Sequence, residues 1–156
     1  MFMFSDNYVN LAADPNEEAK RPALAIELKC WHLYWQVSSA AQISSVLSQK
    51  FSVVEQLAFG HKVHSRSSEE HNEVDRSEWR KLLGSYNNVK TLCINDAGLV
   101  GELSRCLRLN DGELPLEPLP ELQELMLSES SAVGDAYTKF IDARKNARCP
   151  VILTRG

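Results

Sequence analysis

The chain has 156 residues, 44% of them hydrophobic and 24% charged, with a formal net charge of −4. That balance belongs to a soluble globular chain of one domain and excludes a disordered one, and its acidity argues against nucleic acid, polyanions or an anionic membrane surface as partners. Four scattered cysteines (Cys30, Cys93, Cys106 and Cys149), with no CxxC pair and no Asn-x-Ser/Thr sequon, point to reduced thiols and a cytoplasmic or nuclear location.

Residues 1–21 begin apolar but carry no basic region, long apolar core or small-residue cleavage site, so no signal peptide is expected. Asp14-Pro15-Asn16 and the charges after it make this stretch a loose lead-in or the stub of a partial repeat, ahead of a single domain over 22–156. Within that domain one short pattern recurs: an apolar residue, two variable positions, Leu, a variable position, and a second apolar residue. Its first copy is Ala25-Ile-Glu-Leu28-Lys-Cys30. The aromatic run that follows, Trp31, Tyr34 and Trp35, reads as packing that closes an edge repeat, with a partner-binding hot spot as the other reading. Ala40, Ile43 and Leu47 then fall at i, i+3, i+7, one face of a helix.

The second copy is Val54-Glu-Gln-Leu57-Ala-Phe59. After it comes HKVHSRSSEEHNEVD (61–75), which gathers His61, His64, His71, Glu69 and Glu70. Imidazoles at i and i+3 can converge on zinc, but the segment has few apolar anchors, no cysteine and no zinc-type spacing, so it is expected to be a solvated connection without a metal. The same polarity leaves an acid–base pair nothing to shift its pKa. Asp75 with Glu78 has the spacing of a capping box, and it opens a helix whose Trp79, Leu82, Leu83 and Tyr86 share one face.

Val89-Lys-Thr-Leu92-Cys-Ile94 is the third copy, followed by Leu99, Leu103 and Leu107 at i, i+4, i+8. Asp111-Gly112 and the prolines of LNDGELPLEPLP (109–120) force an irregular connection. A fourth copy, Leu122-Gln-Glu-Leu125-Met-Leu127, precedes a helix carrying Tyr137, Phe140, Ile141 and the aliphatic stem of Arg144, with Asp135 placed to cap it. A degenerate fifth, Cys149-Pro-Val-Ile152-Leu-Thr154, ends the chain. The marker positions 28, 57, 92, 125 and 152 lie 27 to 35 residues apart. Strands separated by helices pair in parallel, and a Leu-x-x-Leu-x-Leu period of this size favours a solenoid over a doubly wound sheet. The expected fold is therefore α/β, a leucine-rich-repeat-like arc of about five short parallel strands alternating with helices.

The strings WQVSSAAQISSVL (35–47), EEHNEVDRSEWRKLL (69–83), NVKTLCI (88–94), LSRCLRLNDGELPLEPLPELQELML (103–127) and FIDARKNA (140–147) resemble the carboxy-terminal half of basidiomycete fungal F-box-type proteins with degenerate leucine-rich repeats. The resemblance covers roughly residues 22 to 156. It implies a non-catalytic substrate-receptor region of a ubiquitin ligase component, which works through a protein partner. The F-box that would dock on the ligase adaptor has no room before residue 22, so adaptor binding is not expected. The other readings are a small doubly wound enzyme or ligand-binding domain, and a truncated remnant without independent function.

No nucleophile elbow, P-loop, HExxH helix or calcium loop occurs, so neither a catalytic residue nor a cofactor is expected. Cys106 reads as core, and Cys93, at the variable place between Leu92 and Ile94, as a surface thiol. With the repeat leucines pointing inward, Glu27, Lys29, Gln56, Ala58, Thr91, Cys93, Glu124 and Met126 line the opposite side of the sheet. That side is either a partner-binding concave face or the solvated side of a half-buried sheet.

Overall fold

The structure, a computed structural model, describes residues 1–5, 8–13, 24–29, 32–62, 74–108, 118–127 and 137–155. In chain order the elements are β1 (Phe2–Ser5), β2 (Tyr8–Ala13), β3 (Leu24–Lys29), α1 (Leu33–Val46), α2 (Ser48–Phe51), β4 (Gln56–Lys62), α3 (Arg76–Leu83), β5 (Thr91–Ile94), α4 (Ala97–Leu107), β6 (Glu124–Leu127), α5 (Thr138–Asn146) and β7 (Ile152–Arg155). All seven strands join one sheet in the order β3-β2-β1-β4-β5-β6-β7. The fold is α/β with a mostly parallel sheet, as the alternating periods indicate, but the described residues hold seven strands where the repeat pattern gives about five.

The two additional strands lie in residues 1–21, read from the sequence as a loose lead-in or partial repeat. Phe2, Phe4, Val9 and Leu11 are buried, so β1 and β2 are core strands rather than a lead-in. β1 pairs antiparallel with β2 and parallel with β4, and β2 pairs antiparallel with β3. The strand carrying Leu28 consequently sits at the outer edge, with β2 and β1 between it and β4. Two antiparallel pairings in succession need only short turns, so this half lacks the helical spacing that marks the rest of the chain.

From β4 onward the register has no stagger. Leu57, Leu92, Leu125 and Leu153 stand side by side, as do Phe59, Ile94, Leu127 and Arg155. The last copy of the pattern is thus shifted by one residue from the sequence expectation: Leu153, not Ile152, occupies the leucine row. A one-residue shift moves a side chain to the other face, and Ile152 is accordingly 66% exposed. The crossovers from β3 to β4, β4 to β5, β5 to β6 and β6 to β7 all advance in the same direction along the sheet. Right-handed crossovers that never reverse direction place their helices on one face. The packing agrees, with α1 against α3 and α3 against α4, and with the Tyr137 hydroxyl at the start of α5 donating to the Val100 carbonyl of α4 at 2.8 Å.

The core lies between that helical layer and the sheet. Phe2, Phe4 and Phe59 stack across β1 and β4 with centroids 5.3 to 6.3 Å apart, and Trp79 meets Phe4 and Phe59 edge-on. Tyr86 stacks on Phe51 and shares a 3.0 Å hydrogen bond with the Ser44 hydroxyl. The predicted helical faces are buried at Trp79, Leu82, Leu83, Leu99, Leu103, Leu107, Tyr137 and Phe140, and Cys106 is core as expected; Tyr86 is buried as well, but α3 ends at Leu83 and leaves it in the turn that follows. Each buried Leu or Phe contributes about 1.5–3 kcal/mol relative to exposure. Asp75 caps α3 by accepting from Ser77 N at 2.9 Å, while Glu78 pairs with Lys81 at 2.5 Å. Asp96 caps α4 through Leu99 N. Tyr34 and Trp35 lie in the first turn of α1, where Trp35 is 58% exposed, so it does not close an edge as the aromatic run suggests. Trp31, Asp111-Gly112 and Asp135 fall outside the described residues.

Arg144 is the one charged side chain among the described residues that is wholly buried. Its guanidinium donates to the carbonyls of Leu119 at 3.1 Å, Pro120 at 3.1 Å and Leu122 at 2.7 Å, and lies 5.8 Å from the Phe140 ring centre. Leu119 has φ of 58°, a left-handed conformation unfavourable for a branched residue, and the arginine holds the turn that contains it. Burial lowers the Arg144 pKa, yet an arginine stays charged at physiological pH. Arg144→Met keeps the stem but leaves the buried contacts at the Leu119 and Leu122 carbonyls, and the half-buried one at Pro120, without their donor. A loss of about 3 kcal/mol is expected, read from the urea unfolding midpoint.

Burial also raises the Tyr86 pKa from 10.0 to about 12, with the Ser44 bond opposing the rise, and Tyr137 is raised by the same cause. A folded pKa above the unfolded one gives stability that is complete below pH 10 and is lost as pH climbs towards 12. Thermal unfolding measured across that window should show a falling midpoint, and Tyr86→Phe with Tyr137→Phe should flatten the fall.

Candidate functional site

Alternation along each strand sends the leucines to the helical layer and the intervening residues to the other side of the sheet. There the register forms two rows across the strands. One is Gln56, Thr91, Glu124 and Ile152; the other is Ala58, Cys93, Met126 and Thr154. On the neighbouring strands Gly60, Met3, Asn10 and Glu27 continue the surface. All eight residues singled out from the sequence therefore share one face. Six of them form a contiguous patch on β4, β5 and β6. Glu27 and Lys29, both exposed, lie on β3, three strand spacings or about 14 Å from β4, and join the patch only through β1 and β2.

The patch has its own contacts. Gln56 Nε2 donates to Cys93 Sγ at 3.5 Å, and Cys93 Sγ lies 3.6 Å from Met126 Sδ. Glu124 Oε1 accepts from the Thr154 hydroxyl at 3.1 Å. Gly60 leaves space for the Met3 side chain, since a Cβ there would meet the methionine sulfur at 3.0 Å. Cys93 points away from the leucine core as its position implies, but it is only 7% exposed and so is not a surface thiol. Strand alternation fixes direction, while access is set by the Gln56 and Met126 side chains lying across the sulfur.

Several members of this face were missed in the sequence. Met3 belongs to the period-two run Phe2-Met3-Phe4, a strand signal too short to stand out beside the longer copies. Ile152 and Thr154 were displaced by the one-residue shift described above. In the histidine segment, His61 closes β4, its backbone paired with Phe4, while the His61 side chain, His64, His71, Glu69 and Glu70 lie outside the described residues. Among the described residues no group of three or more His, Cys, Asp or Glu side chains could hold a metal ion, and no helix is long and apolar enough to cross a membrane.

A shallow depression at the amino ends of β4 to β6 is lined by Ser52, Val53, Glu55, Asn88, Lys90 and Glu121. Lys90 and Glu55 pair with each other there at 2.7 Å, and the Asn88 amide donates to the Ser52 carbonyl. In open α/β sheets ligands occupy the carboxyl ends of the strands, at a point where crossovers change direction. This depression lies at the opposite ends, and the crossovers here do not change direction.

The contact between Cys93 and Met126 can be probed with a thiol reagent. Cys93 should label slowly in the native protein, and Met126→Ala should accelerate that labelling several-fold without a comparable change at Cys106, read by mass spectrometry of the modified peptides. No protein-family model, curated protein or solved structure matches this chain.

Proposed function

We propose that the chain is a non-catalytic protein-recognition module, a leucine-rich-repeat-like arc that binds its partner through the sheet face opposite the helices. The resemblance to basidiomycete F-box-type proteins specifies the role further, as the substrate-receptor portion of a ubiquitin ligase component. One observation carries the reading: parallel crossovers that advance in a single direction leave the rows on β4, β5 and β6 outside the helical layer. Side chains there are partly accessible and chemically mixed, as suits contact with another protein. Solenoid repeats use this arrangement to present a broad surface made by many strands. A doubly wound enzyme or ligand-binding domain would instead carry helices on both faces and a crevice where they diverge.

Site-specific crosslinking tests this reading. A photoreactive residue at Gln56 or Glu124 should trap the same protein from an extract of the source cells, while one at exposed Gln42 on α1 should not. Ala58→Arg, which adds bulk to the patch and leaves the core intact, should reduce recovery of that protein at least tenfold at an unchanged melting temperature. Crosslinks that form only from the helical side would overturn the proposal.

A further inference from the structure

Resting on the recognition reading, the open face carries enough chemistry to specify the segment it holds. Its inner row is apolar from β4 to β6, where Ala58, Cys93 and Met126 stand side by side before Thr154 of β7, and Met3 lies over Gly60 on the β1 side. Methionine is flexible and polarizable, so Met3 and Met126 bracket the small residues between them with side chains that adapt to an inserted apolar group. The outer row is polar on β4 to β6, with Gln56, Thr91 and Glu124, and Glu124 stands between Thr91 and the exposed Ile152 of β7. That carboxylate is partly buried and accepts a hydrogen bond from Thr154. The ion pairs that join described residues run from Lys81 to Glu78, Lys90 to Glu55 and Arg105 to Glu102, and none of these described cations engages Glu124.

A partly buried carboxylate beside an apolar stripe is complemented by a cation that arrives with an apolar neighbour. Covering Glu124 without such a cation would remove it from water uncompensated. The two rows are one strand repeat apart, about 7 Å. The same interval separates alternate side chains of an extended peptide, and about 6 Å separates residues four apart on a helix. We infer that the open face recognises a peptide segment in which a Lys or Arg, bound at Glu124, stands one such step from a Leu, Met or Phe seated against Met126 and Cys93.

The probe is a phage-displayed library of random twelve-residue peptides panned on the full chain. Selected peptides are then tested against Glu124→Lys and Met126→Lys, with Lys145→Glu on the exposed side of α5 as control. Circular dichroism and melting temperature establish that each variant is folded. Enriched peptides should carry a basic residue two or four positions from a large apolar one, and should lose binding at least tenfold on both face variants but not on the control. Glu124→Lys should instead select peptides with an acidic residue at the basic position. Peptides that depend on Met126 but not on Glu124 and lack a basic residue would overturn this inference and leave the recognition face standing. Peptides indifferent to both substitutions, or no enrichment at all, would overturn the recognition reading itself.

Discussion

The placement of the open face follows from the unstaggered parallel register of Leu57, Leu92, Leu125 and Leu153. Stacking those residues requires each strand to lie beside the next one in the sequence, and each connection to return in the same sense. Crossovers of one hand then have a single side on which to place their helices. The overall strand order, 3-2-1-4-5-6-7, superficially matches that of a doubly wound sheet. Here its first half is made by antiparallel pairings, so the order reverses without a helix crossing to the other face.

The irregular approach to β6 needs a different kind of support. Connections rich in proline offer few backbone donors, and their carbonyls must find partners elsewhere. Arg144 supplies several from one planar group and thereby ties α5 to the turn that feeds β6. A buried charge is a poor source of stability compared with a well-packed apolar side chain. What it provides is definition of the path by which Glu124 and Met126 reach the open face. The phenolic bonds of Tyr86 to Ser44 and Tyr137 to Val100 work in the same way, tying the turn after α3 to α1 and the start of α5 to α4 through buried polar contacts.

Much of this was legible from residues alone. The buried faces of α3 and α4 were fixed by their helical spacing, Asp75 announced its cap, and Cys106 fell within a leucine stripe. The eight positions assigned to one side of the sheet do share that side. The failures have identifiable physical causes. Val151, Ile152 and Leu153 are consecutive apolar residues, so alternation could not choose between registers, and pairing with β6 decided it. β1 is four residues long, and its burial depends on Phe59 and Trp79, remote in sequence. Trp35 carried the signs of a packing residue, yet it meets only the edge of the Tyr34 ring among the described aromatics and stays more than half exposed. The pattern of Asp75 and Glu78 implied reciprocal capping, yet Lys81, one turn further along, engages the glutamate.

Strand alternation has a further consequence for how such a surface can change over time. Residues such as Gln56, Thr91 and Glu124 alternate with the leucines that hold the domain together, yet they project from the opposite side of the sheet. Substitutions among them alter what the molecule presents without disturbing the packing beneath. On that side each residue meets mainly the residues beside it on adjacent strands, so a change at one position has few others to accommodate it. Under the recognition role proposed above, such a scaffold can acquire new binding preferences by small independent steps while its fold stays constant.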